Sequence, residues 1–391
     1  MPDLHTLLEE RRPLGDICSI PDKITSVYTL EQHIWAGADA AEHEQARAQR
    51  QPQYQTVEEF QLNPVRAFLN DIFRHIAAPY KPERRDDPIG QGYWIQAEFG
   101  SGKSHLLCVL AALALGDQGI WDLVRKKEEE SGRGRRESLA QFWEEGLQEK
   151  SSGGKRGIFV VAKTLVGAGG GMVGLESNQR LIDYILEAAR EQLSAELGRN
   201  ISLYPVEVLA DRFLEQDLDR YRDDLRKFLR DPRYFATDEQ SDIDEFLRVL
   251  QSNRAPEYKR DCGNKLWRFY HDYLNVKPNL ETDAEGVLKH MVETILHEGY
   301  SGVLLILDEV SLFMKNRNDD LRQDDESTLV VLSNRLTRVY NLPVWTVCSA
   351  QQAIESKMGV KNIIADDRLK QILLLKENND SFYEIMLTRV R

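Results

Sequence analysis

The feature that most constrains this chain is a glycine-bearing turn set between two apolar runs. Tyr93-Trp94-Ile95-Gln96-Ala97 is a short β-rich run bounded by Gly92 and Gly100. SHLLCVLAALAL (104–115) is apolar all round, as suits a helix buried beneath a sheet. Between them stands Ala97-Glu98-Phe99-Gly100-Ser101-Gly102-Lys103-Ser104. A strand that turns this tightly into a helix points successive backbone N–H groups inward, and with the helix N-terminus they form a cradle for phosphate oxygens. The backbone from Phe99 through Gly100, Ser101 and Gly102 would line that cradle, the two glycines permitting close approach. Lys103 can reach β- and γ-phosphates, and the Ser104 hydroxyl can take a place on Mg²⁺. His105 is either one more phosphate contact or, the simpler reading, a packing residue at the helix start. Ala97 stands at the first glycine position of this spacing, where a methyl group is the smallest replacement for hydrogen.

A second signal lies far downstream. Val303-Leu304-Leu305-Ile306-Leu307 runs directly into Asp308-Glu309. Two carboxylates ending a buried strand are costly unless they face a cation or water. Asp308 would hold the Mg²⁺ shell and Glu309 would polarise an attacking water, against the plainer reading of a solvated acidic turn. A third, weaker signal is the strand Val344–Cys348, which ends in Ser349-Ala350-Gln351-Gln352. Ser349 or Gln351 could touch a γ-phosphate or the attacking water, while Thr346, inside the strand, reads as packing.

Strands at 93–97, 158–165, 303–307, 344–348 and 372–375 alternate with helices at about 104–115, 178–197 and 326–340, which implies a parallel sheet covered on both faces. A further helix is expected over 63–76, with Asn63 as cap and Pro64 in its first turn. Residues 1–90 read as a mostly helical N-terminal region and 91–391 as the core. Two insertions interrupt that core. The first, about 117–157, is mixed in charge and reads as exposed; the second, about 200–300, is helical and strongly charged.

Length and composition narrow the classes. At roughly 150 residues per domain, 391 residues suggest about two to three domains. No apolar run approaches the roughly 20 residues that span a bilayer, and the first residues lack the order of a secretory signal, so a cytoplasmic protein without membrane contact is expected. The net charge of −13 argues against a surface that adheres to nucleic acid throughout. Basic groups at Arg125-Lys126-Lys127 and Arg133–Arg136 lie close to glutamates and read as a solvated face. Cys18, Cys108, Cys262 and Cys348 stand far apart and read as reduced and structural. The histidines show no metal-ligand spacing, with His290 and His297 sharing one helix face, and Trp267, Phe269, Tyr270 and Tyr273 read as helix packing.

GSGKSH after an apolar strand, LLILDE after a long helical insertion, and a polar-ended strand beyond it together resemble the additional-strand P-loop ATPases, the AAA+ and related signalling ATPases. The resemblance covers about 91–391, with both insertions unmatched. It implies an α/β P-loop NTPase fold, a mainly parallel five-stranded sheet flanked by helices plus the large helical insertion, in which the strand ending at Ser349 lies between the other two key strands. It also implies ATP and Mg²⁺ as ligands, a possible homo-oligomer, and a role for Arg368 on a neighbour's nucleotide; a surface pair with Asp366 or Asp367 is the simpler reading of that arginine. More narrowly, WIQAEFGSGKSHLL and the closing ILLLKENNDSFYEIMLTRVR resemble the N-terminal ATPase part of the very large ATPases of bacterial phage-defence islands, the BREX-type group (BrxC/PglY-like). That likeness implies protein partners in a defence complex and an indirect contact with DNA. The family's helical lid has only about sixteen residues after Leu375 to form in, so the chain is expected to be the N-terminal piece of a longer protein with slow turnover by itself.

The expected function is Mg-dependent ATP hydrolysis that drives a conformational change in a larger assembly. Its rivals are a nucleotide-gated scaffold or switch with negligible turnover, a DNA translocase or loader, and, weakest, a small-molecule kinase.

Overall fold

The computed structural model describes residues 54, 56–58, 60–81, 89–96, 103–131, 138–165, 179–199, 201–252, 256–276, 283–315, 317–350 and 370–373. Asn63–Val65 is a 3₁₀ turn containing Pro64, and helix α1 (Arg66–Ala77) begins after it, three residues later than the expected start. Strand β1 (Gln91–Gln96) leads toward α2 (Lys103–Ala114), and α3 (Gln118–Glu130) follows, capped by Asp117, whose carboxylate accepts the Gly119 and Ile120 N–H groups. Strand β2 (Ile158–Thr164) precedes α4 (Leu181–Leu197), which stops at Gly198 in the left-handed conformation, φ = 65°.

Helices α5 (Val206–Arg212), α6 (Leu218–Leu229), α7 (Ile243–Leu250) and α8 (Pro256–Arg268) come next, then α9 (Ala284–His297). Strand β3 (Gly302–Asp308) runs into the short α10 (Val310–Lys315). Helix α11 (Asp319–Val330), extended by a π-helical stretch Val331–Val339, starts seven residues before the expected 326. Asn318 accepts the Leu321 N–H at 2.9 Å, and Asp319 and Asp320 favour the positive helix end, so the polar turn begins the helix instead of preceding it. Strands β4 (Val344–Ala350) and β5 (Lys370–Leu373) complete the sheet.

The fold is α/β: a parallel sheet flanked by helices. β2, β3, β4 and β1 pair side by side, and β5 pairs through its backbone with the outer edge of β1, giving the order β2-β3-β4-β1-β5. The last strand is paired over Lys370–Leu373, not the expected 372–375; residues 374 and 375 lie outside the described residues. β4 lies between β1 and β3, the place that the resemblance implies for it.

Side chains that alternate along a strand point to opposite faces, and here the alternation sorts two cores. Leu304 and Ile306 of β3 join Tyr93, Ile95, Val160, Ala162, Trp345 and Val347 in a core covered by α1, α2 and α3. Val303, Leu305 and Leu307 join Trp94, Phe159, Val161, Val344 and Cys348 beneath α4, α9, α10 and α11. Each such aliphatic side chain taken fully from water contributes about 1.5–3 kcal/mol before conformational entropy is counted.

The two insertions behave differently from each other. The segment 117–157 is not an exposed excursion: Trp121, Val124, Leu139, Trp143 and Leu147 are buried in the same core as α2. On α3 the apolar Ile120, Trp121, Leu123 and Val124 are buried together with Glu128, which bonds Arg66 and Ser138. The 200–300 region carries no strand among the described residues, but its last helix, α9, belongs to the sheet's own core. What remains, Val206 to Tyr270, closes on a separate core that includes Phe213, Phe228, Phe246, Leu266 and Phe269. Trp267, Phe269 and Tyr270 pack there as helix-facing aromatics. Among the described residues no single helix is long and apolar enough to cross a membrane; α2 and α3 pass that test only as a pair, bent by 118°.

Candidate functional site

A parallel sheet brings the C-terminal ends of its strands to one edge, and α2 begins at that edge. Because Leu304 and Ile306 face α2, Asp308, two residues further along β3, faces the start of the same helix. Ser104 Oγ donates to Asp308 Oδ2 at 2.8 Å across 204 residues of sequence. The other carboxylate oxygen, Oδ1, accepts from the Ser349 hydroxyl and from the Glu309 N–H at 3.0 Å. Asp308 is 3% exposed, and a carboxylate that dry requires these partners.

Glu309 follows with φ = 60°, a left-handed conformation unfavourable for a residue with a Cβ. Its N–H also lies 2.9 Å from Ser349 Oγ, and its carbonyl accepts the N–H groups of Leu312 and Phe313 at 3.1 Å, which opens α10. The side chain reaches back toward α2, where Lys103 Nζ stands 4.0 Å from Glu309 Oε1. Lys103 is almost fully buried and Glu309 keeps 15% of its surface in solvent. Thus α2, β3 and β4 each contribute to a cluster of one amine, two carboxylates and two hydroxyls.

Five of the sequence-predicted residues therefore converge: Lys103, Ser104, Asp308, Glu309 and Ser349. The His105 ring turns to another partner. Nε2 lies 2.9 Å from the Thr56 carbonyl, and the ring packs edge-on against Phe60 with centroids 4.8 Å apart. That is the packing role; one residue along a helix turns a side chain by about 100°, off the face that Ser104 occupies. Phe99, Gly100, Ser101 and Gly102 of the cradle lie outside the described residues, as do Gln351 and Arg368. Thr346 is buried within β4, as its place in the strand implies.

The structure adds two features to this edge. Thr164, the last residue of β2, is in register with Asp308. The left-handed backbone of Glu309 is the other; no residue type in Leu307-Asp308-Glu309-Val310 announces it, because glycine is absent. The polar pair Lys163-Thr164 at the end of an apolar strand is the signal that could have marked the first.

Oxygen donors suited to a hard cation are present. Ser104 Oγ and Asp308 Oδ2, hydrogen-bonded at 2.8 Å, are two such oxygens side by side. Among the described residues no group of three or more His, Cys, Asp or Glu gathers into a metal site.

The other polar features of the sequence resolve into structure. Lys127 donates to the carbonyls of Val57, Glu58 and Phe60, and Arg125 pairs with Asp122 and Glu144. His297 lies 3.1 Å from Arg260, while His290, also on α9, is held well below the usual imidazole range, at about 4, by burial and then by the charge of Arg260. Cys108, Cys262 and Cys348 are buried thiols outside any disulfide, and burial pushes the Cys348 thiol up to about 12.

Comparison of the chain with protein-family models, curated proteins and solved structures returned no match.

Proposed function

We propose that this chain binds Mg-ATP at the C-terminal edge of its sheet and hydrolyses it, on a P-loop NTPase fold of the additional-strand class. The observation that carries the reading is the convergence of Lys103 and Ser104, at the start of α2, with Asp308 and Glu309, at the end of β3. The strand order, with β4 between β1 and β3, supports the class.

In this reading Lys103 and the first amides of α2 stabilise phosphate charge, which grows on the terminal oxygens during transfer. Ser104 and Asp308 would hold Mg²⁺, which when bound offsets negative charge on the phosphate oxygens. Glu309 accepts a hydrogen bond from the attacking water and aims it at the terminal phosphorus. Hydrolysis would drive a conformational change in a larger assembly, and the resemblance to the phage-defence ATPases supplies protein partners of such a complex as that setting.

Removing a water-orienting carboxylate typically costs about 10²–10⁴ in rate. Glu309→Gln is therefore expected to retain ATP binding and lose at least about a hundredfold in phosphate release. Equal hydrolysis by wild type and Glu309→Gln refutes the assignment. One observation favours a second reading, a nucleotide-gated switch: the Glu309 carboxylate leans on Lys103. Single-turnover hydrolysis under saturating Mg-ATP separates the two, since a switch binds nucleotide without releasing phosphate.

A further inference from the structure

Ser349 links the two acids. It sits fully buried on β4, beside β3, with its hydroxyl directed at the peptide between Asp308 and Glu309. A serine hydroxyl has a single hydrogen to give. An ionised carboxylate can only accept, so in the Ser349–Asp308 contact that hydrogen goes to Asp308 Oδ1. The oxygen, in turn, lies 2.9 Å from the Glu309 N–H. Phosphate oxygens at neutral pH also act as acceptors. A contact between Ser349 and a γ-phosphate would need the one hydrogen that Asp308 already holds.

The peptide on which Ser349 acts is the unusual one. Glu309 has φ = 60°, and both of its backbone groups are tied: the N–H to Ser349 and Asp308, the carbonyl to the first N–H groups of α10. With its backbone fixed at both ends, Glu309 can re-aim its carboxylate only by side-chain rotation. We propose that Ser349 is a positioning residue that acts through the backbone of Glu309. It holds the left-handed peptide that aims the Glu309 carboxylate, and it touches neither the phosphate nor the attacking water. This role rests on the hydrolysis reading above and departs from the phosphate-contacting role that the sequence suggests for the same residue.

The experiment compares wild type, Ser349→Ala and Ser349→Thr in steady-state phosphate release, in equilibrium binding of ATP and ADP, and in thermal unfolding. Misaiming a catalytic group by about 1 Å costs on the order of a hundredfold. Ser349→Ala is expected to lower kcat by about ten- to a hundredfold with KM and both affinities within about twofold of wild type. Ser349→Thr keeps the hydroxyl on a strand that favours β-branched residues, and is expected to restore kcat to within about threefold.

Selective weakening of ATP over ADP in Ser349→Ala would assign the hydroxyl to the phosphate and overturn the proposal. Unchanged kcat in Ser349→Ala, with wild type active, overturns it while leaving the hydrolysis reading intact. No turnover in wild type overturns both. Should Ser349→Ala not fold, Ser349→Cys, similar in shape with a weak donor, carries the test: kcat falls at unchanged KM, or the proposal fails.

Discussion

Asp325 and Asp308 are both buried carboxylates, and the contrast between them separates scaffold from site. Asp325, on α11, is fully enclosed and meets one cation, Arg317, at 2.8 Å; it also accepts the Leu181 N–H that opens α4 at 2.6 Å. Arg317 donates in addition to the Gln179 carbonyl. Burial still pushes the Asp325 carboxyl up, against the pull of Leu181 and Arg317. The pair joins α4, α11 and the turn before α11. Asp308 instead meets two hydroxyls and an amide, while the amine beside it, Lys103, leans toward Glu309 at 4.0 Å. The first pair ties scaffold elements together; the second sets hydroxyl and carboxylate oxygens at a sheet edge, the donor type that a divalent cation takes.

The largest effect expected from that contrast lies on the site. Lys103→Ala should lower ATP turnover by about a thousandfold or more, roughly 4 kcal/mol of transition-state stabilisation, with tight ATP binding lost. Phosphate release and calorimetric titration with Mg-ATP measure both. Next comes the joint. Asp325→Ala leaves Arg317 buried without its carboxylate and should cost about 3–5 kcal/mol in chemical denaturation. A loss under about 1 kcal/mol would erase the distinction drawn between the two clusters.

His290 offers a pH test that concerns the scaffold alone. Its folded value of about 4 lies below the ordinary 6.5, so the unfolded chain binds more protons between those values. Stability should therefore fall as pH drops from about 6.5 to 4, by up to about 3 kcal/mol, and His290→Gln should flatten that slope in urea melts. A slope identical in both proteins removes His290 as its source. The smallest change in stability sharpens the comparison most. Asp308→Asn removes one of two neighbouring negative charges and should change stability by no more than about 1 kcal/mol while abolishing turnover. Destabilisation matching that of Asp325→Ala would make Asp308 a scaffold residue.

Much of this architecture was legible in the chain. Val303–Leu307 reads as a strand buried on both faces because five consecutive apolar residues have no wet side, and it is one. Gly198 stops α4 because glycine tolerates the left-handed turn. The start of α11 is set by the capping chemistry of Asn318, seven residues ahead of the expected 326. Residues 117–157 depart from the expected exposed insertion because composition averages over a helix, and a charged average hides Trp121 and Val124 on the inner face of α3.

The sequence by itself determined the chemistry available here: which strand ends in acids, which helix begins with Lys103 and Ser104, and which strand ends in Ser349. These are local facts, set by residue type and by periods of two and 3.6. Only the tertiary structure decided that Ser104 meets Asp308, that His105 turns to Thr56, and that Ser349 grips the backbone of Glu309. Strand order and register are cooperative properties of the whole sheet. A hydrogen bond between residues 104 and 308 exists only once every strand between them has taken its place.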